Sequence, residues 1–109
     1  MKGGTMPTRE EQVAALKTHY EDIKEKISAA DAKAAMLSKD IRAIWERNKN
    51  LLAVRDRHFK RRLLRLIGAI PNDDDTWERL RRSAFLSLTS LEKRYDQAAA
   101  FIRYKRPVA

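Results

Sequence analysis

Apolar residues in the first part of the chain recur every three or four positions, the spacing that places side chains on one face of an α-helix. The series starts just after Thr8, which forms a capping-box pattern with Glu11. It continues over nearly five heptads, as in a coiled coil. This first seam consists of Val13, Leu16, Tyr20, Ile23, Ile27, Ala30, Ala34, Leu37, Ile41 and Ile44. The pattern predicts a long amphipathic helix.

After Ile44 the apolar positions shift by one residue. The second seam consists of Trp45, Leu52, Phe59, Leu63, Leu66 and Ile70. Two interpretations remain open: one helix that relaxes its register, or a turn at residues 48–50 between two helices. We favour one helix from residue 8 to about residue 69, because neither Gly nor Pro interrupts it. Such a helix would be about 90 Å long.

Gly68 and Pro71 end this helix, and an acidic turn at residues 70–75 precedes the last one. Asp75 is predicted as the N-cap, because Glu78 follows it three residues later. The third seam consists of Trp77, Leu80, Ala84, Leu88, Leu91, Tyr95, Ala98 and Ile102. The last helix, from residue 76 to about residue 104, is about 44 Å long. Folded back, it could cover only the second half of a 90 Å helix.

These patterns predict an all-α fold in which a long N-terminal helix packs against an antiparallel C-terminal helix as a hairpin or coiled coil. Residues 8–106 form one helical domain, and residues 1–7 are expected to be disordered. Trp45 and Trp77 are expected to anchor the core or an interface. An uncovered apolar seam is costly in water, so we expect a homodimer. Its predicted interface consists of Val13, Leu16, Tyr20, Ile23, Ile27, Ala30, Ala34 and Leu37.

The positive charge is concentrated in the second half of the chain. The net charge is +9, and residues 51–109 hold fourteen Lys and Arg against seven Asp and Glu, whereas residues 1–50 hold ten against eight. Arg57, Arg61 and Arg65 form a ridge opposite the second seam. Guanidinium groups bind phosphates bidentately. The predicted nucleic-acid-binding residues are Arg55, Arg57, Lys60, Arg61, Arg62, Arg65, Arg79, Arg81 and Arg82.

Other interpretations of this basic cluster remain open. It could be a solvated face whose cations suit a helix C-terminus, or a docking surface for an acidic protein or a membrane surface. The lack of interleaved exposed aromatic residues favours a duplex over a single strand. We therefore expect an accessory protein that binds duplex nucleic acid, namely DNA, through phosphates. The alternative is a coiled-coil interaction module, an adaptor or inhibitor that docks its basic face on an acidic protein.

Several classes of site lack their characteristic residues in this sequence. There is no cysteine, which excludes disulfides, thiolate nucleophiles and the usual zinc sites. His19 and His58 are far apart in the chain, and residues 73–75 lack the ligand spacing of a calcium loop. No glycine-rich phosphate loop and no nucleophile motif occur. We expect no enzymatic activity, no cofactor and no metal.

The sequence also bears on where the protein is located. No apolar run reaches membrane length, and the start of the chain has no segment of signal-peptide type. The absence of cysteine fits a reducing compartment. We therefore expect a soluble, cytoplasmic protein without integral membrane association.

Residues 60–69 read KRRLLRLIGA, a basic run that ends in an aliphatic-glycine segment. This stretch resembles the small basic helical accessory proteins of plasmid mobilisation and conjugal transfer, which often have a similar run. Those proteins help a relaxase engage the transfer origin. The resemblance covers about ten of the 109 residues. It implies DNA contacts on Lys60, Arg61, Arg62 and Arg65.

Overall fold

The structure, a computed structural model, describes residues 6–108, and within this range the chain forms three α-helices. They are α1 (Arg9–Ala34), α2 (Lys39–Gly68) and α3 (Asp74–Ile102). Each helix runs antiparallel to the one before it, and α2 and α3 form the most closely packed pair. The all-α class is confirmed, as a helical bundle. The sequence predicts disorder for residues 1–7. Residues 1–5 of this segment lie outside the described residues, and Met6 and Pro7 are described but belong to no helix, so the disorder stays a prediction.

Side-chain caps begin α1 and α3. Thr8 Oγ1 accepts the Glu11 N–H at 3.1 Å, and Glu11 Oε1 accepts the Thr8 N–H at 2.8 Å, so the predicted capping box is confirmed. These bonds lower the pKa of Glu11. The prediction that Asp75 caps α3 is wrong. Asp73 is the cap, because its carboxylate accepts the Thr76 N–H at 2.9 Å and the Thr76 hydroxyl at 2.7 Å.

The predicted continuous helix from residue 8 to about residue 69 is wrong, and so is the alternative turn at residues 48–50, which lie within α2. The chain turns at residues 35–38 instead. Leu37 is buried there, with 3% of its surface exposed. Ala35 and Ser38 both have a φ of −61°, which any residue adopts, so the turn needs neither Gly nor Pro. Burial of α1 against α2 outweighs the helix propensity of the residues in the turn.

The turn explains the shift between the first and second seams. Each helix starts a new phase, so α2 buries the second seam from Trp45 onwards, whereas Ile44 is 36% exposed. The described core combines the inward faces of all three helices. Its largest side chains, each less than 2% exposed, are Trp45, Phe59, Ile23, Leu66, Leu88, Leu91 and Ile102.

The predicted dimer interface lies inside the folded chain. Val13, Leu16, Tyr20, Ile23, Ala30, Ala34 and Leu37 are buried, and Ile27 packs against the same core. The premise that this seam has no partner within the chain is wrong, because α2 and α3 both cover it. A homodimer therefore stays a prediction, without support from these residues.

Polar side chains at the edge of the core join α1 to α2. Asp31 Oδ1 accepts the Trp45 indole N–H at 2.9 Å and a Lys49 Nζ proton at 2.9 Å. The bond from Lys49, followed by that from Trp45, lowers the pKa of Asp31. At another point of contact between α1 and α2, the Tyr20 hydroxyl donates to Asp56 Oδ1 at 2.5 Å. Burial and this bond raise the pKa of Tyr20.

The turn at residues 35–38 predicts unequal effects of removing two isoleucines of the first seam. Ile23→Ala should lower the free energy of unfolding by about 2–5 kcal/mol, because Ile23 is completely buried. Ile44→Ala should lower it by about 1 kcal/mol or less, because Ile44 is partly exposed. Urea denaturation followed by circular dichroism measures both. Equal losses would contradict the turn, since a continuous seam treats the two residues alike.

The ion pair between Asp31 and Lys49 predicts a pH-dependent contribution to stability. Because folding lowers the pKa of Asp31 from its usual value of 3.8, this contribution is present above that value and is lost as pH falls through the lowered pKa. Asp31→Asn keeps an oxygen for Trp45, so at pH 7 it should cost only about 0.5–1 kcal/mol. The difference from wild type should shrink between pH 4 and pH 2 in urea denaturation. A difference independent of pH would contradict this account.

Candidate nucleic-acid interface

The outer face of α2 carries the predicted arginine ridge. Because Phe59 and Leu66 point into the core, Arg57, Arg61 and Arg65 lie on the solvent side and are exposed. Neighbouring members of the ridge are about 6 Å apart along the helix axis, so the ridge is about 12 Å long. Its position opposite the buried seam agrees with the prediction from helical periodicity.

Three further arginines are exposed on the parts of α2 and α3 that flank the turn between these helices. Arg62 is exposed on α2, and Arg79 and Arg82 are exposed in the first turns of α3, just after the turn at residues 69–73. None of the six makes an ion pair or a side-chain hydrogen bond with another described residue. We call them the free arginines: Arg57, Arg61, Arg62, Arg65, Arg79 and Arg82.

The other three predicted phosphate-binding residues already have partners. Lys60 Nζ pairs with Asp56 Oδ2 at 3.1 Å. Arg81 donates to both carboxylate oxygens of Glu78, at 2.9 and 2.6 Å. This fork lowers the pKa of Glu78 and raises that of Arg81. The structure therefore leaves only part of the predicted set without a side-chain partner among the described residues.

Arg55, the remaining member of the set, is separate from the ridge. Its Nη1 donates to Ser90 Oγ on α3 at 2.6 Å. Since this partner is neutral, the charge of Arg55 is uncompensated. The side chain lines a groove between α2 and α3, together with two cations that sequence reasoning missed, Lys93 and Arg94. Their charge was visible in the sequence, but their proximity to Arg55 depends on the pairing of α2 with α3.

Arg9 holds the turn from which the free arginines project. Its Nη1 donates to the carbonyl oxygens of Ile70 at 2.7 Å and of Asn72 at 2.6 Å, and its Nη2 pairs with Asp74 at 2.6 Å. The guanidinium carbon also lies 5.1 Å from the ring centre of Trp77. One side chain from the start of α1 thus fixes the end of α2 relative to the start of α3. Sequence reasoning missed this role, since local pattern does not show contacts across more than 60 residues.

Two of the three acidic residues beside this turn have structural partners. Asp73 caps α3, which lowers the pKa of its carboxyl group, and Asp74 pairs with Arg9. Asp75 is exposed.

Within the described part of the chain, the two histidines do not form a metal site. His19 pairs with Glu92 at 3.1 Å, and His58 is exposed on α2. Over residues 6–108, no group of three acidic or histidine side chains is arranged to hold a metal ion.

Comparison of the chain with protein families, with curated proteins and with solved structures finds no match. None of the helices in the described part of the chain combines the length and apolar character needed to cross a membrane. The function is therefore inferred from the geometry and the charges described above.

The contacts of Arg9 predict a specific loss of stability. Arg9→Lys keeps the charge but cannot supply the planar fork that reaches two carbonyl oxygens and Asp74, so it should lower the free energy of unfolding by about 2 kcal/mol. Arg57→Lys, the matched control among the free arginines, should change it by less than about 0.5 kcal/mol. Urea denaturation at pH 7 measures both variants. If they are equally stable, Arg9 does not hold the turn.

Proposed function

We propose that this protein binds duplex nucleic acid, expected to be DNA, through the free arginines at the α2–α3 end of the bundle. The observation that supports the proposal is six exposed guanidinium groups on α2 and α3, none of them paired with a described carboxylate. Neighbouring arginines of the ridge, about 6 Å apart along α2, repel one another, and a polyanion relieves the repulsion. Arg81 and Lys60, which have carboxylate partners, show that the chain can neutralise cations where it carries acids nearby.

The geometry favours contact with the backbone of a duplex. Phosphates of one strand rise about 3.4 Å per nucleotide along the DNA axis, and because the strand winds around that axis, neighbouring phosphates are about 7 Å apart in space. Three arginines spaced about 6 Å apart on a ridge about 12 Å long therefore match two or three phosphates. The side chains project from one face of a helix, whose backbone is held by its own hydrogen bonds. These contacts go to phosphates and not to base edges, so we expect little sequence specificity. The resemblance of residues 60–69 to accessory proteins of plasmid mobilisation is compatible with this proposal and stays a prediction.

A second candidate function is that of an interaction module docking on an acidic protein. Leu64 favours it, because this side chain is 70% exposed on α2 among the free arginines. A large apolar residue surrounded by cations is more typical of a protein interface than of phosphate contact. In this alternative the arginines steer the encounter, and Leu64 contributes apolar contact.

Homodimerisation is also part of the proposal, although the first seam cannot supply the interface. A dimer would double the number of arginines offered to one duplex. Sedimentation at micromolar concentration distinguishes a dimer from a monomer, in which the six free arginines of one chain would form the entire binding surface.

The test of nucleic-acid binding is a fluorescence titration of a 30-base-pair duplex at several salt concentrations. If about five or six phosphates are neutralised, the logarithm of affinity should fall with the logarithm of salt concentration with a slope of about −5. Replacing Arg57, Arg61 and Arg65 together by Gln should weaken binding similarly for unrelated sequences. The replacement should also flatten the slope by about three, since three phosphate contacts are lost.

A matched control separates the position of the charge from its amount. Arg42, Arg47 and Arg103 are exposed and lie near the opposite end of the bundle, so replacing these three by Gln removes the same charge. This control should bind nearly as tightly as wild type. Equal loss in both triple variants, or no wild-type binding below about 100 μM at low salt, would contradict the proposal. If the protein binds no duplex, and both Leu64→Ala and the Arg57, Arg61 and Arg65 triple variant impair binding to an acidic protein, the second candidate function is favoured.

A further inference from the structure

We infer that the groove between α2 and α3 that contains Arg55 and Arg94 binds a phosphate group. This site is distinct from the free arginines, and its existence does not depend on the proposed function. The groove has a volume of about 340 Å³. Its lining residues are Arg55, Leu86, Thr89, Ser90, Lys93, Arg94 and Gln97. The lining contains three cations and no acidic residue.

Arg94 provides the main argument. Its Nη1 donates to Gln97 Oε1 at 3.2 Å and its Nη2 to Asn48 Oδ1 at 3.4 Å, so both partners are neutral and both bonds are long. Its Nε is buried and has no hydrogen-bond partner among the described residues. A guanidinium group with a buried, unpaired N–H and no carboxylate partner is destabilising. An anion bound in the groove would supply the missing acceptor and the missing charge.

Arg55 on α2 and Ser90 on α3 also line the groove. Ser90 Oγ accepts a hydrogen bond from Arg55 Nη1 at 2.6 Å, which fixes the guanidinium group of Arg55 against α3. Because Ser90 Oγ accepts this bond, its own hydroxyl proton remains available for a ligand oxygen. Two arginines and a hydroxyl group around one space match the several acceptor oxygens of a phosphate, which guanidinium groups bind bidentately.

Two other grooves of the described bundle contain acidic residues that balance or outnumber their cations. In the groove between α1 and α2, Asp31 and Asp56 balance Lys24 and Lys49. A groove where α1 meets α3 is acidic, and its charged lining residues are His19, Asp22, Glu25, Lys26 and Glu92. Two further grooves have a positive lining, with Lys26, Lys33 and Arg103 in one and Lys39 and Arg42 in the other. The groove with Arg55 and Arg94 differs from both because it also contains a buried donor without a hydrogen-bond partner among the described residues.

The volume of the groove also bears on the source of the phosphate. Pockets of about 300–1,000 Å³ hold small organic molecules, so this groove has room for more than a bare phosphate ion. Leu86, which is 57% exposed, offers an apolar contact beside the cations. The phosphate could belong to a small phosphorylated ligand or to a nucleic-acid backbone, because both present the same oxygens. The experiment below therefore uses both sources.

The experiment is an NMR titration of the ¹⁵N-labelled protein with inorganic phosphate at constant ionic strength, which observes the arginine Nε–H signals directly. Phosphate should shift the Nε–H signal of Arg94 saturably, whereas the same concentration of chloride should not. Arg94→Gln and Arg55→Gln, followed through the backbone amide of Ser90, should each weaken phosphate binding by about tenfold or more. Arg42→Gln, at an exposed position of α2 outside the groove and outside the free arginines, is the matched control and should leave phosphate affinity unchanged.

Two further titrations distinguish the sources of phosphate. If adenosine monophosphate binds this groove more tightly than inorganic phosphate, and a 30-base-pair duplex does not displace it, the ligand is a small phosphorylated molecule. If the duplex displaces phosphate from Arg94 in competition, the groove takes a backbone phosphate.

The inference is overturned if the Arg94 signal does not shift saturably below about 20 mM phosphate, a concentration at which even a weak millimolar site fills. Equal weakening by Arg42→Gln would also overturn it, because binding would then reflect net charge alone. Arg94→Lys keeps the charge and removes the Nε–H, so it can be measured in place of Arg94→Gln if the Gln variant does not fold. Full phosphate affinity in a folded Arg94→Lys protein would refute the role of the buried N–H.

Discussion

Burial of the apolar face of α1 is the constraint on which the rest of the structure depends. Tyr20 and Ile23 on that face can be removed from water within one chain only if the chain reverses direction soon after them. Reversal at residues 35–38 places α2 and α3 over α1, with Leu37 buried at the corner. It also sets a new helical phase, in which Trp45 points inwards. The outward direction of the arginines on α2 follows from that phase.

The helices, their faces and part of their caps could be predicted from the sequence, because these features depend on residues close together in the chain. The second and third seams are buried largely as their spacing predicts, and Thr8 caps α1 as its pattern predicts. The turn at residues 35–38 could not be predicted in the same way. Ala35 and Met36 favour a helix, and the one local signal is Ser38 as N-cap with Asp40 in the first turn of α2. The prediction of one continuous helix is wrong because tertiary burial, and not local helix propensity, determines where the chain turns.

For the candidate interface, the sequence predicted which cations lie outwards on α2 but not which of them are free. Pairing of Lys60 with Asp56 and of Arg81 with Glu78 follows helical spacing and was within reach of pattern reasoning. The contacts of Arg9 were not, and neither was the proximity of Arg55 to Arg94, because both depend on how the helices pack. Charge density along the chain is therefore a poor guide to available charge. What distinguishes these cations is the partner that the fold gives to each.

The two ends of the described chain are attached to opposite ends of the bundle. Arg9 binds the α2–α3 turn, whereas the Val108 N–H donates to the Met36 carbonyl oxygen at 2.8 Å beside the α1–α2 turn. The helix between these turns, α2, has 30 residues and is about 45 Å long. A dye or affinity tag fused at the N-terminus would therefore sit close to the free arginines. The same group fused at the C-terminus would sit far from them, which makes the C-terminus the better attachment point for immobilising the protein without obstructing its basic end.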